Sequence, residues 1–226
     1  MNGKISRRKV LGLSIGLFTG LFSTLKADCE ITPEQTEGPF YPDILPQDKD
    51  NDLTVLKGSK NQAVGKIVYI FGVVRDENCH PIDGAIVEIW QACESGSYNH
   101  GGNANTAPLD EHFQYWGRFI TDEKGRYAFK TIVPGSYAIN KNWQRPPHVH
   151  FKTAKRGFFE MTTQMYFAGN PLNEKDRILN KLSKEEQELV VVELQDFEED
   201  REYFDFKNLQ KKSQICYFDI VLEKVY

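Results

Sequence analysis

From residue 66 to 75 apolar side chains occupy both alternating sets of positions: Ile67, Val68, Tyr69, Ile70, Phe71, Val73 and Val74. Such a run predicts a strand buried on both faces. Residues 85–92 predict a second strand, ending in Trp90-Gln91-Ala92. Segments 116–121 and 126–132 predict two more, and the Asp122-Glu123-Lys124-Gly125 turn between them reads as a hairpin. Further strands are predicted over 148–153, 161–167 and 215–223. Residues 28–65 read as irregular, because Pro33, Gly38, Pro39, Pro42 and Pro46 break any long element. One helix is predicted over 184–189, where Ser183 and Glu186 make a capping-box pattern; Val190-Val191-Val192 beyond it favours a strand. No internal repeat or low-complexity tract interrupts this pattern. The pattern predicts an all-β chain: a single-domain β-sandwich with long irregular loops and at most one or two short helices.

Composition is that of a globular protein, with 40% hydrophobic and 27% charged residues in 226. The net charge of −4 argues against nucleic acid as a partner. The N-terminus changes this picture. Lys4, Arg7, Arg8 and Lys9 precede an uncharged, mostly apolar run from 10 to 25, which Lys26 and the small Ala27 close. Residues 1–27 therefore read as an export signal, leaving 28–226 as the folded domain. Ser6-Arg7-Arg8-Lys9-Val10-Leu11 resembles a twin-arginine signal, with an ordinary secretory signal or an uncleaved anchor as the alternatives. Removing its five bases takes the net charge from −4 to −9, which disfavours phosphate backbones and anionic membranes. The expected location is periplasmic or secreted, with no membrane attachment after cleavage. In an oxidising compartment Cys29, Cys79, Cys93 and Cys216 allow three disulfide pairings, with free buried cysteines as the alternative.

Candidate chemistry is sparse. Of five histidines, two fall in Arg145-Pro146-Pro147-His148-Val149-His150-Phe151. Residues two apart on a strand share a face, so His148 and His150 can present two imidazoles to one metal ion, while Val149 faces apolar packing. Two unrelated histidines are the plain alternative. Tyr98 lies in a Gly-rich loop past the second strand, and Tyr137 follows the Pro134-Gly135 turn. Composition and spacing do not single out either among ten tyrosines.

Longer stretches do. GAIVEIWQACESGSY (84–98), GRFITDEKGRYAFKTIVPGSY (117–137) and WQRPPHVHF (143–151) resemble the intradiol ring-cleavage dioxygenases, most of all their protocatechuate 3,4-dioxygenase branch. The resemblance continues into Gln164-Met165-Tyr166-Phe167, and TPEQTEGPFYP (32–42) is similar to exported members. It covers nearly all of 29–226.

The resemblance implies a mononuclear non-haem Fe(III) held by Tyr98, Tyr137, His148 and His150. Phenolate oxygen is a hard anionic donor suited to the ferric state, and neutral imidazole completes the set. It implies that the Tyr137 phenolate leaves the metal when a catechol-type substrate chelates. O2 then attacks the activated ring, which opens between its two hydroxyl-bearing carbons to give a cis,cis-muconate-type dicarboxylate. It also implies catalytic roles for Arg145, which would stabilise negative charge on the ring, and for Gln164, which would line the same pocket. Trp90 and Tyr41 are candidate walls. The branch usually has an aromatic residue two positions after the second tyrosine; here it is Ile139. Lys155 and Arg156 follow the histidine strand and could meet a substrate carboxylate, with placement on the surface as the favoured alternative. One chain carries every implied ligand, so a self-sufficient protein is expected, with a homo-oligomer left open. The alternatives are another His-ligated metal enzyme and an exported β-sandwich binding module without catalysis.

Overall fold

A computed structural model describes residues 29–198 and 202–226. The export segment read over 1–27 lies outside the described residues. Two sheets and one hairpin make up the strands. The first sheet is built around β1 (Ile67–Asp76). It pairs antiparallel with β4 (Arg126–Ile132), and on its other edge parallel with β10 (Gln214–Tyr217) and then β11 (Ile220–Leu222). The second sheet runs β3-β2-β7-β8-β9, from β3 (Trp116–Ile120) and β2 (Ile86–Trp90) through β7 (His148–Ala154) and β8 (Met161–Phe167) to β9 (Val191–Val192). The short strands β5 (Tyr137–Asn140) and β6 (Trp143–Arg145) pair only with each other.

The sheets stack as a β-sandwich. Phe151 of β7 packs on Phe218 and Tyr127, and Phe119 of β3 meets Phe129 of β4. Strand β1 is covered on both faces, as its unbroken apolar run predicts, because Tyr69 and Phe71 pack outward against Phe206 and Tyr203. The helix α1 (Lys184–Val190) opens with a complete capping box between Ser183 and Glu186. The next two valines enter β9, where branched side chains suit the pleat.

Two expectations are corrected. Strands β3 and β4 do not form a hairpin: β3 pairs with β2 and β4 with β1, so the Asp122–Gly125 turn carries the chain from one sheet to the other. Asp122 makes that turn self-sufficient, since its carboxylate accepts from the Lys124 and Arg126 amides and from the Arg126 guanidinium. The C-terminal run is two strands rather than one. The Phe218 amide donates to the Phe71 carbonyl and its own carbonyl accepts from Tyr127 Oη, while Asp219 accepts from the Val73 amide. This kink sits over Gly72, where no Cβ crowds the crossing backbone.

Cys29 and Cys79 form a disulfide, and Cys93 and Cys216 remain free and buried. Among the described residues no helix is long and apolar enough to cross a membrane.

Candidate metal centre

Strand register builds the floor of the site. On β7, His148 and His150 point to one face, while Val149 between them is fully buried on the other. Trp90 of β2 lies opposite His150 and stacks on its ring, centroids 4.7 Å apart. On the other side, Gln164 and Tyr166 of β8 lie opposite His150 and His148. The β5–β6 hairpin pairs Tyr137 with Arg145 and brings both to this face.

Tyr98 arrives from the loop after β2. The Cys93 carbonyl accepts from the Gly96 and Gly135 amides, which docks this loop against the one leading to Tyr137. Gly96 has φ +83°, and a Cβ there would run into the Ser136 carbonyl. The glycine thus lets the two tyrosine loops meet backbone to backbone.

Four rings converge. Tyr98 and Tyr137 centroids are 5.5 Å apart, His148 and His150 4.9 Å, and Tyr137 and His148 5.7 Å. All four residues are at least nine-tenths buried. Tyr98 Oη, His148 Nε2 and both ring nitrogens of His150 have no hydrogen-bond partner. Buried polar atoms are normally satisfied, so orphans from three neighbouring side chains mark a place for a ligand. His148 Nδ1 donates to the Pro146 carbonyl at 2.7 Å, which leaves Nε2 as a bare lone pair directed into the site. Burial, reinforced by the Arg145 cation, holds both imidazoles well below their usual pKa, so they are neutral donors. Burial also pushes both phenols upward, which means a phenolate here requires a facing positive charge. Two hard oxygens and two neutral nitrogens could together hold one hard metal ion. Among the described residues no group of three or more His, Cys, Asp or Glu is placed to bind a metal, so tyrosine is essential to any such set.

Behind the rings lies a buried polar network. Arg145 Nε donates to Asp176 at 2.7 Å, and Nη2 to Gln164 Oε1 at 2.7 Å. Burial opposes the Arg145 cation, but Tyr166, Tyr137 and Asp176 outweigh it and raise its pKa. Gln164 Nε2 donates to the Thr36 carbonyl, so both ends of its amide are committed. Tyr166 Oη donates to Gln35 Oε1 at 2.9 Å. Tyr166 and Gln35 lie within the resembling stretches without an assigned role, and Asp176 lies outside them; their partners are 31 to 131 positions away.

The segment 32–41 forms a strap over the site. The Gln35 amide donates to the Thr162 carbonyl, and Glu37 pairs with Lys152. Gly38 lies over His150, and Phe40 stacks on Tyr98 with centroids 4.4 Å apart. Tyr41 meets Trp90 edge-on and donates to Glu88 at 2.7 Å. Tyr41 and Trp90 thus stand as walls. Ile139 is exposed on the hairpin. Lys155 is not brought to the site: it donates to the Asp83 carbonyl, at the opposite end of β7 from His148. Arg156 is likewise exposed beyond that end.

The β-sandwich thus encloses two tyrosines and two histidines around unpartnered donor atoms, a candidate metal centre. A family model described as Dioxygenase matches residues 36–224, and the chain belongs to the intradiol ring-cleavage dioxygenase family. It is 40% identical over 132 residues to the protocatechuate 3,4-dioxygenase beta chain of Burkholderia cepacia, covering 57% of this chain and 56% of that protein. It is 36% identical over 121 residues to a chlorocatechol 1,2-dioxygenase of Pseudomonas sp. (strain P51), covering 47% of this chain and 46% of that protein. These matches span about half the length of the curated relatives. The crystal structure of catechol 1,2-dioxygenase from Pseudomonas arvilla C-1 superposes with a TM-score of 0.65 at 28% identity, over 86% of this chain and 62% of that one.

Proposed function

We propose that the protein is an Fe(III)-dependent intradiol dioxygenase that cleaves a catechol-type ring between its two hydroxyl-bearing carbons. Both oxygen atoms of O2 enter the muconate-type dicarboxylate product. The observation that carries this is the convergence of Tyr98, Tyr137, His148 and His150 with orphaned donor atoms in one buried site.

Those four residues are the proposed ligands. The ferric ion, when bound, supplies the positive charge that stabilises the phenolates and activates the chelated diol toward O2. Burial holds the Tyr137 phenol above its usual pKa although the Arg145 charge opposes this, so a Tyr137 phenolate would be basic enough to take up a diol proton as substrate binds. Arg145, fixed by Asp176 and Gln164, faces the negative charge that develops on the ring. Gln164 acts by holding Arg145 and the strap, since neither end of its amide is free. His148 keeps its orientation through the Pro146 carbonyl. Trp90 and Phe40 exclude water from the ring contacts.

We further propose export by the twin-arginine route with cleavage at Ala27, giving a periplasmic or secreted enzyme. The Cys29–Cys79 disulfide supports an oxidising compartment. One chain supplies every donor, so association into a homo-oligomer would add none to the site.

Iron analysis, the visible spectrum and oxygen uptake test the activity together. The expected result is a red-brown protein, from tyrosinate-to-iron charge transfer, that consumes one O2 per diol. Tyr137→Phe should weaken the colour. A colourless protein with one bound iron, or a product cleaved outside the diol, overturns the proposal.

A further inference from the structure

Tyr166 stands between two amide oxygens with one proton to give. Its Oη lies 2.9 Å from Gln35 Oε1 of the strap and 3.2 Å from Gln164 Oε1. All three side chains are buried.

Neither amide can be turned round. Thr163 Oγ1 gives its proton to the Pro33 carbonyl at 2.8 Å, so toward Gln35 it can only accept. Gln35 Nε2 donates to that oxygen and to the Gln164 carbonyl, both at 3.2 Å, which fixes Gln35 Oε1 toward Tyr166. Gln164 Nε2 donates to the Thr36 carbonyl at 2.8 Å, which fixes Gln164 Oε1 toward Arg145 Nη2, 2.7 Å away. The phenol proton is thus the one free choice among these bonds. The shorter contact takes it to Gln35, and the lone pairs of Tyr166 Oη then face Arg145 Nη2 at 3.4 Å. Without the Gln35 oxygen the proton turns to Gln164 Oε1, beside the hydrogen that Arg145 already gives to the same atom. Two positive hydrogens on one oxygen oppose each other, and in a buried network that opposition is little screened.

We propose that Gln35 is a positioning residue for Arg145 and acts through Tyr166: docking of the strap draws the phenol proton away from the guanidinium and fixes the direction of Arg145 Nη2. The proposal rests on the intradiol activity above, in which Arg145 faces the charge that develops on the ring. Gln35 is itself held on β8 by the bond from its backbone amide to the Thr162 carbonyl, so closing the strap and aiming the cation are one event.

The test is a double-mutant cycle of Gln35→Met and Tyr166→Phe. Gln35→Met keeps the length of the side chain and removes the acceptor oxygen. In the wild-type background it should lower kcat about 10-fold with KM nearly unchanged, the scale of one misdirected hydrogen bond. With Tyr166→Phe in place there is no proton to redirect, so Gln35→Met should then change kcat by less than about 2-fold, whereas independent effects would multiply. Equal losses in the two backgrounds overturn the proposal, as does a loss carried by KM or no loss at all. A second measurement needs no turnover. The Arg145 Nε–H is buried on Asp176, and its NMR signal in the metal-free full chain is identified by its absence in Arg145→Lys. Gln35→Met should shift this signal in the wild-type background and leave it in place in the Tyr166→Phe background; the same shift in both overturns the proposal. Tyr166→Phe keeps the strap's bonds to Thr163 and Gln164 and should shift the signal by itself, and an unmoved signal overturns the proposal even where Gln35→Met does not fold. If the wild type cleaves no diol while the signal shows this coupling, the activity proposal fails and the positioning stands. If diols are cleaved and the coupling is absent, the positioning fails and the activity stands.

Discussion

Asp176 is fully buried, and its two oxygens do different work. Oδ2 accepts from Arg145 Nε at 2.7 Å, while Oδ1 accepts from the Ile178 and Leu179 amides at 3.0 and 2.8 Å. Asp176→Asn preserves the shape and can keep the Oδ1 contacts. It replaces the other oxygen with an NH2 that faces the Arg145 donor, leaving a buried cation without its anion. Breaking one side of a buried ion pair costs roughly 3–5 kcal/mol. Asp176→Ala also strands two amides, each adding about 1 kcal/mol or more where water cannot reach. The expected order of stability in urea is therefore wild type, then Asn, then Ala, with the Asn midpoint lowered by about 1–2 M for a slope near 3 kcal/mol/M. Arg145 loses its fixed direction in both variants, so kcat should fall by about 100-fold, as when a preorganised donor is removed from an active site. An Asn variant within about 1 kcal/mol of wild type, with kcat intact, would refute the assignment of Arg145 to a position set by Asp176.

Other consequences can be checked independently. The Cys29–Cys79 bridge closes a loop with a sequence separation of 50, so Cys79→Ser should lose about 4 kcal/mol, read as a lower Tm that reductant reproduces in the wild type. Burial pushes the Asp76 carboxyl up, but His80 and Asn78 hydrogen bonds prevail and hold it below the usual range. Its contribution is then fully present above the unfolded value of about 3.9 and is lost as pH falls through the folded one. Asp76→Asn should accordingly lower stability at pH 7 and flatten its decline below about pH 4 in acid titrations followed by circular dichroism. Gly72→Ala would drive a Cβ into the Phe218 carbonyl and to 2.6 Å from Tyr127 Oη; a loss of about 3 kcal/mol is expected by thermal denaturation, and an unchanged Tm would show that the kink can relax.

What the sequence made legible was local. The apolar run of β1, the paired histidines of β7 and the Ser183–Glu186 box each fit within a few residues, and each is found where predicted. The β5–β6 hairpin was missed because Ala138, Ile139 and Asn140 are exposed, so no apolar alternation announces it. The false hairpin between β3 and β4 had a sound turn. Which sheet each strand joins is decided by β1 and β2, not by the turn. Tyr98 and Tyr137 were selected by resemblance over whole motifs. Their convergence depends on loops 93–98 and 134–137 docking through the Cys93 carbonyl, a tertiary contact without periodic signature. Asp176 carried no signal at all, since a lone aspartate among polar loop residues looks solvated until Arg145 lands on it.

The strap also has a bearing on when the site comes into being. Its residues are among the first of the described chain, yet Gln35 bonds to Thr163 and Gln164, and the Thr32 amide donates to the Val221 carbonyl while its hydroxyl accepts from the Val221 amide. These partners are separated by 128 to 189 positions. Contacts of such span form slowly, because a long loop must close before they reward the chain. During synthesis the roof of the site exists long before its floor: the strap can join β8 only once Gln164 has emerged, and β11 only once Val221 has. Assembly of the centre is thereby tied to completion of the fold, and a chain that stops short of β11 lacks the strand on which Thr32 docks.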